Sequence, residues 1–195
     1  MKKLIAILLL AALAISVVAC GNTTPGANDT ETTKAPEETT AAPLPTDTIS
    51  GDLLEIINGF NDGVIEIMAE TAPVDAESSE WLTGITADDY AKYVESAVVS
   101  IPMMMAQAHH TILVKCKDAE SAVAIKDAIE KGFDPGRWVC VQAEKIYCGI
   151  SGTHVYMVAS NADWADKLFA KFEALSGELP VQKFEFDTTP FIARG

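Results

Sequence analysis

The sequence predicts an α+β domain in which N-terminal helices precede a ββαββα arrangement, the sheet mostly antiparallel and the helices packed on one face. Three stretches carry that prediction. From His110 to Cys116, Ile112, Val114 and Cys116 alternate with Thr111, Leu113 and Lys115, the two-residue period of a strand. Residues 145–150 and 154–159 are apolar runs on either side of Ser151-Gly152-Thr153, the composition of a hairpin turn. After Asn161, a helix N-cap, Ala165, Leu168, Phe169, Phe172 and Leu175 recur at helical spacing.

The remaining elements follow in chain order. Beyond Asp52, Leu53, Ile56, Ile57, Phe60, Val64, Ile67 and Met68 share one helical face, and Gly59 and Gly63 mark where that helix bends or breaks. Residues 72–84, with Pro73 and paired serines, read as a loop that folds Trp81 and Leu82 back onto the core. Thr86 caps a second helix to about Glu95, with Asp88 and Asp89 in its first turn, where the helix dipole favours negative charge. Residues 97–101 are short and β-branched, a strand ended by Pro102, and Met103-Met104-Met105 follows. Asp118 caps a helix through Lys131 that packs with Ala122, Ile125, Ala128 and Ile129 and stops at Gly132. Residues 138–142 fit a strand or a short helical turn. From 180 to 195 the chain is extended, with Phe184, Phe186 and Phe191 available for an edge strand or for lying over the sheet.

Ahead of this domain, Lys2 and Lys3 precede an apolar run from Leu4 to Ile15, and Val17-Val18-Ala19-Cys20 closes it. That is the layout of a secretory signal, and it stops short of the ~20 apolar residues a spanning helix needs. Residues 1–19 are therefore read as a lipoprotein signal peptide, and Cys20 as the residue that takes a diacylglycerol. Two acyl chains suffice for stable attachment. The expected location is the outer face of the cytoplasmic membrane. Residues 20–48, rich in threonine, proline and acids, read as a disordered tether that cannot bury apolar surface, and residues 49–195 as a single α+β domain.

The formal net charge is -14, and loss of Lys2 and Lys3 with the leader makes the mature chain more acidic still. A surface of that sign repels phosphate backbones and anionic headgroups, which argues against nucleic-acid binding. The lipid, not electrostatics, is expected to hold the protein to the membrane.

Gly84-Ile85-Thr86 with Asp89 and Tyr93, Met103-Met104 ahead of the strand carrying His110, Ile112 and Val114, Lys117-Asp118 opening a helix, and Gly152 with Tyr156 in the late hairpin form a recognisable pattern. Over roughly residues 52–176 it is similar to an uncharacterised domain-of-unknown-function family of lipoproteins from Gram-positive, clostridial-type bacteria. The resemblance implies a lipid anchor and a small α+β domain. It brings no activity, cofactor or site residues.

Chemistry-bearing residues are few. Once Cys20 is lipidated, Cys116, Cys140 and Cys148 remain, an odd number that cannot all pair. Cys116 and Cys148 fall on the apolar side of expected strands, as buried thiols do; one disulfide, involving Cys148, is the competing reading. His109, His110 and His154 are the only histidines. Neighbouring strand residues face opposite ways, so His109 and His110 do not readily share an ion. One of them with His154 and a carboxylate or Cys140 is the weak metal candidate, against solvated strand-end histidines. Met103, Met104 and Met105 lack a Met-x-Met repeat and read as core or interface contacts. No phosphate loop, Gly-x-Ser-x-Gly or His-Glu-x-x-His is present, and no cofactor is implied. The functional expectation is a non-enzymatic binding or scaffolding module with a cell-envelope protein partner; the alternative is a small-molecule or metal-binding lipoprotein serving a transporter.

Overall fold

Asp52 begins the described fold by accepting hydrogen bonds from Leu54 N at 2.9 Å and Glu55 N at 3.1 Å, which caps helix α1 (Leu53–Asn61). The structure, a computed structural model, describes residues 49–104, 107–138 and 140–193. The leader, Cys20, the tether and Met105 lie outside the described residues. Helix α1 passes through Gly59 and ends before Gly63, whose φ of 68° no other residue adopts cheaply.

Residues 72–84 are not a loop. Strand β1 (Ala69–Pro73) is followed by helix α2 (Ala76–Thr83). The signal for α2 lies in Asp75 and Ser78, which form a reciprocal capping box, and in Gly84, which closes the helix at φ 80°. Leu82 packs on the core as expected, whereas Trp81 is 70% exposed. Helix α3 (Ala87–Tyr93) starts at the Thr86 cap, and Lys117 Nζ donates to the carbonyls of Ala91 and Lys92 at its other end.

Strands β2 (Val94–Pro102), β3 (His109–Cys116), β4 (Lys145–Ser151), β5 (His154–Ser160) and β6 (Gln182–Glu185) complete a six-stranded sheet of order β1-β2-β3-β5-β4-β6. Every pairing is antiparallel. The expected hairpin is β4–β5, and the C-terminal segment does supply an edge strand, β6, against β4. Phe186 just beyond it is buried. Residues 138 and 140–142 belong to neither a strand nor a helix.

The sheet carries helices on both faces, which corrects the one-face expectation. Helix α4 (Ala119–Gly132) lays Ala122, Ile125 and Ile129 against Ile112, Val114, Cys148 and Met157 on one side. Helix α5 (Ala162–Ser176) and α1 lay Leu168, Phe169, Phe172, Ile57 and Phe60 against Leu113, Tyr147, Tyr156 and Val158 on the other. The physical reason is in β5, where both alternate sets of side chains are apolar from Val155 to Ala159 and all seven strand residues are buried. An antiparallel sheet with one wet face would have kept polar residues at every second position.

Candidate functional site

The three histidines do not converge. His109 turns toward Trp164 on the α5 side, with ring centroids 6.0 Å apart, and His110 toward Phe133 on the α4 side, at 5.2 Å. In register, His109 opposes Ser160 and Lys115 opposes His154, so His154 sits at the opposite end of β5. None is solvated: His109, His110 and His154 are all at most 2% exposed, because the sheet ends they occupy are covered. Among the described residues no cluster of His, Cys, Asp or Glu is grouped to hold a metal ion.

What the structure does gather is a site around Arg137, a residue that sequence patterns did not single out. Four segments build it. Helix α2 supplies Trp81 and Leu82, the end of β2 supplies Ile101 and Pro102, β3 supplies His110, and the segment after α4 supplies Arg137 and Trp138. These residues enclose a cavity of about 60 Å³. Arg137 Nη2 donates to the Trp81 carbonyl at 2.7 Å and Nη1 to the Leu82 carbonyl at 3.3 Å. Both carbonyls lie in the last turn of α2, where intrahelical donors run out, so the guanidinium caps that helix. Its plane lies over the Phe133 ring, with Cζ 4.9 Å from the centroid.

Arg137 Nη1 also sits 3.4 Å from His110 Nδ1. The His110 ring is also hydrogen-bonded to the Leu82 carbonyl, which Arg137 Nη1 shares. Burial, with the positive charge of Arg137 second, holds the His110 pKa well below 6.5, so the ring is neutral. Its Nε2 is buried and meets no partner among the described residues. No carboxylate pairs with Arg137 there either; Asp134, the nearest acid that acts on it, spends Oδ1 on the amides of Gly136 at 2.9 Å and Phe191 at 3.4 Å. Burial therefore lowers the Arg137 pKa. The group nonetheless stays charged, as arginine does in proteins.

Apolar side chains surround this end of the sheet. Trp81, Met103, Met104 and Met68 are 70%, 62%, 74% and 73% exposed. Met103 follows the cavity residue Pro102, and its amide donates to the Met68 carbonyl at 2.9 Å, which holds the two methionine-bearing strand ends together. Met103 and Met104 thus fit the interface reading of the methionine run and not the core one.

Among the described residues Cys116, Cys140 and Cys148 carry free thiols, with Cys116 and Cys148 buried under α4 and Cys140 exposed. Burial pushes the Cys116 thiol up to about 12 and raises Cys148 further still. Comparison of the chain with family models, with curated proteins and with solved structures finds no match in any of the three.

Proposed function

We propose that the protein is a membrane-anchored extracytoplasmic lipoprotein whose folded domain binds a partner at the cell envelope and transforms nothing. Cys20 takes the diacylglycerol, residues 20–48 space the domain from the bilayer, and the domain presents its binding surface at the Trp81 end of the sheet. The observation that carries the binding reading is the exposed set Met68, Trp81, Met103 and Met104 beside the Arg137 cavity. Large apolar side chains clustered on a surface mark interaction sites, and tryptophan, methionine and arginine are the residue types that interfaces favour. The resemblance to clostridial-type lipoproteins supports the same location.

A second reading, a small-molecule-binding lipoprotein, is favoured by the cavity itself, which joins a fixed cation and a neutral imidazole within apolar walls. Two measurements test the main reading. Labelled fatty acid should enter the wild-type chain and not a Cys20→Ala variant, which should leave the membrane fraction. Surface crosslinking of intact cells should join the protein to a discrete envelope protein, with the adduct lost when Trp81→Ala and Met104→Ser are combined. Recovery of the uncrosslinked lipoprotein alone from wild-type cells contradicts the reading.

A further inference from the structure

The exposed apolar end of the sheet is set in a strongly acidic part of the chain. From Asp52 to Glu95, the stretch that builds α1, β1, α2 and α3, eleven acids stand against one base, Lys92. Three of those acids border the apolar residues. Glu77 precedes Trp81 by one turn of α2, so the two side chains are neighbours on the helix surface. Glu80 comes immediately before Trp81. Glu70 pairs in register with Ile101, and cross-strand partners point to the same face, so Glu70 stands on the side of the sheet where Ile101 lines the cavity with Trp81. Met68 and Met103 lie two positions beyond that pair, with their backbones joined by a hydrogen bond. Glu70, Glu77 and Glu80 are all exposed, and none forms an ion pair among the described residues. Arg137 is held against the Trp81 and Leu82 carbonyls and reaches none of the three.

We propose that this surface docks a basic amphipathic segment of a protein partner. The apolar side chains of the segment lie on Met68, Trp81, Met103 and Met104, and its lysines or arginines meet Glu70, Glu77 and Glu80. Charge complementarity selects this occupant. A second copy of the chain would bring a like-charged rim, and anionic headgroups are repelled in the same way. Residues 20–48 of the chain itself carry five acids against Lys34, so the tether does not match the rim either. Trp81 favours a cation for a second reason, since its exposed indole offers a π face to lysine or arginine. Methionines repack around different apolar side chains, so the surface selects a pattern of charge and apolarity and not one exact sequence.

This proposal rests on the binding reading above and names the chemistry of the partner. Calorimetry on the full chain tests it with three synthetic peptides of equal length: leucine and lysine at helical spacing, leucine and glutamate in the same pattern, and serine and lysine in that pattern. The Leu/Lys peptide should bind at least tenfold tighter than either of the others, and added salt should weaken it. Glu77→Gln combined with Glu80→Gln should weaken that peptide at least threefold, and Trp81→Ala combined with Met104→Ser at least tenfold. Glu173→Gln combined with Glu178→Gln, at exposed positions in and just after α5, should leave it unchanged. Should a variant lose its native circular dichroism spectrum, the peptide series on the wild-type chain decides alone. Equal binding of the Leu/Lys and Leu/Glu peptides overturns the charge match. Equal binding of the Leu/Lys and Ser/Lys peptides, or equal weakening by the α5 pair, reveals general attraction to an acidic protein and overturns the site. No binding of the Leu/Lys peptide also overturns it. With any of these results, an envelope crosslink that persists in cells keeps the binding module and rejects only this partner chemistry. Absence of the crosslink removes the protein partner, and this proposal with it.

Discussion

Arg137 Nη2 donates a 2.7 Å hydrogen bond to the Trp81 carbonyl, so a residue beyond α4 closes the C-terminal turn of α2. The same guanidinium reaches Leu82 at 3.3 Å. Replacing Arg137 by Met keeps the stem and removes both bonds, leaving two helix-end carbonyls to water. The expected loss is about 1.5–3 kcal/mol, the range for hydrogen bonds that involve a charged group. Urea denaturation measures it, and Arg137→Lys should recover part of the loss.

Gly84 and Gly132 bring the ends of α2 and α4 into backbone contact, with the Gly132 Cβ position blocked by the Gly84 carbonyl. Neither backbone can swing aside, so Gly132→Ala should destabilise the domain by about 3 kcal/mol or more. Gly149 differs in kind. A Cβ there meets Phe169 Cζ at 2.8 Å and Phe172 Cε1 at 2.9 Å, ring edges that can yield. Gly149→Ala should cost less, about 1–2 kcal/mol. Thermal unfolding of the two variants side by side checks the order.

Acid should weaken the fold in two separate windows. Burial brings the His109 pKa down to about 4 from 6.5 and places that of His110 well below 6.5. Between those values the unfolded chain binds more protons than the native one, so stability is full above about pH 6.5 and falls as pH drops toward 4. For His109 the whole window is worth roughly 3 kcal/mol. Hydrogen bonds from Ser78 and Ser121, and from Lys145 and Tyr147, hold the carboxyls of Asp75, Asp118 and Asp166 below 3.8, so their contribution disappears only at lower pH. Urea midpoints at pH 7 and pH 5 should differ for the wild type, and the difference should shrink in His109→Gln.

Thiol reactivity should divide the cysteines. Cys140 is exposed, whereas Cys116 and Cys148 are buried beneath α4 and their thiolates are disfavoured. Among these three, alkylation of the native protein should modify Cys140 alone, with the other two reacting after unfolding in guanidinium. Mass spectrometry reads the outcome directly.

Much of the fold was legible because its elements are locally signalled. Thr86, Asp118 and Asn161 each cap the helix their sequence context predicts, and Ser151-Gly152-Thr153 turns the β4–β5 hairpin. The two-sided burial of the sheet was also written in the chain, in Val155 to Ala159, where apolar residues fill both alternations. Helix α2 escaped notice because its capping box uses Ser78 where Glu or Gln is usual. The Arg137 site had no local signal. Its residues come from α2, β2, β3 and the segment after α4, and one arginine in a Pro-Gly turn looks like a solvated charge until tertiary packing sets it beneath Trp81.

Site-specific photo-crosslinking in intact cells locates the binding surface on the domain. A photoreactive side chain at position 104, beside the Arg137 cavity, is compared with one at position 123, where Val123 is 48% exposed on the outer side of α4. A binding surface at the Trp81 end of the sheet gives a discrete envelope adduct from position 104 that is absent from position 123. Equal adducts from both positions, or none from position 104, would contradict a binding surface at the Trp81 end of the sheet.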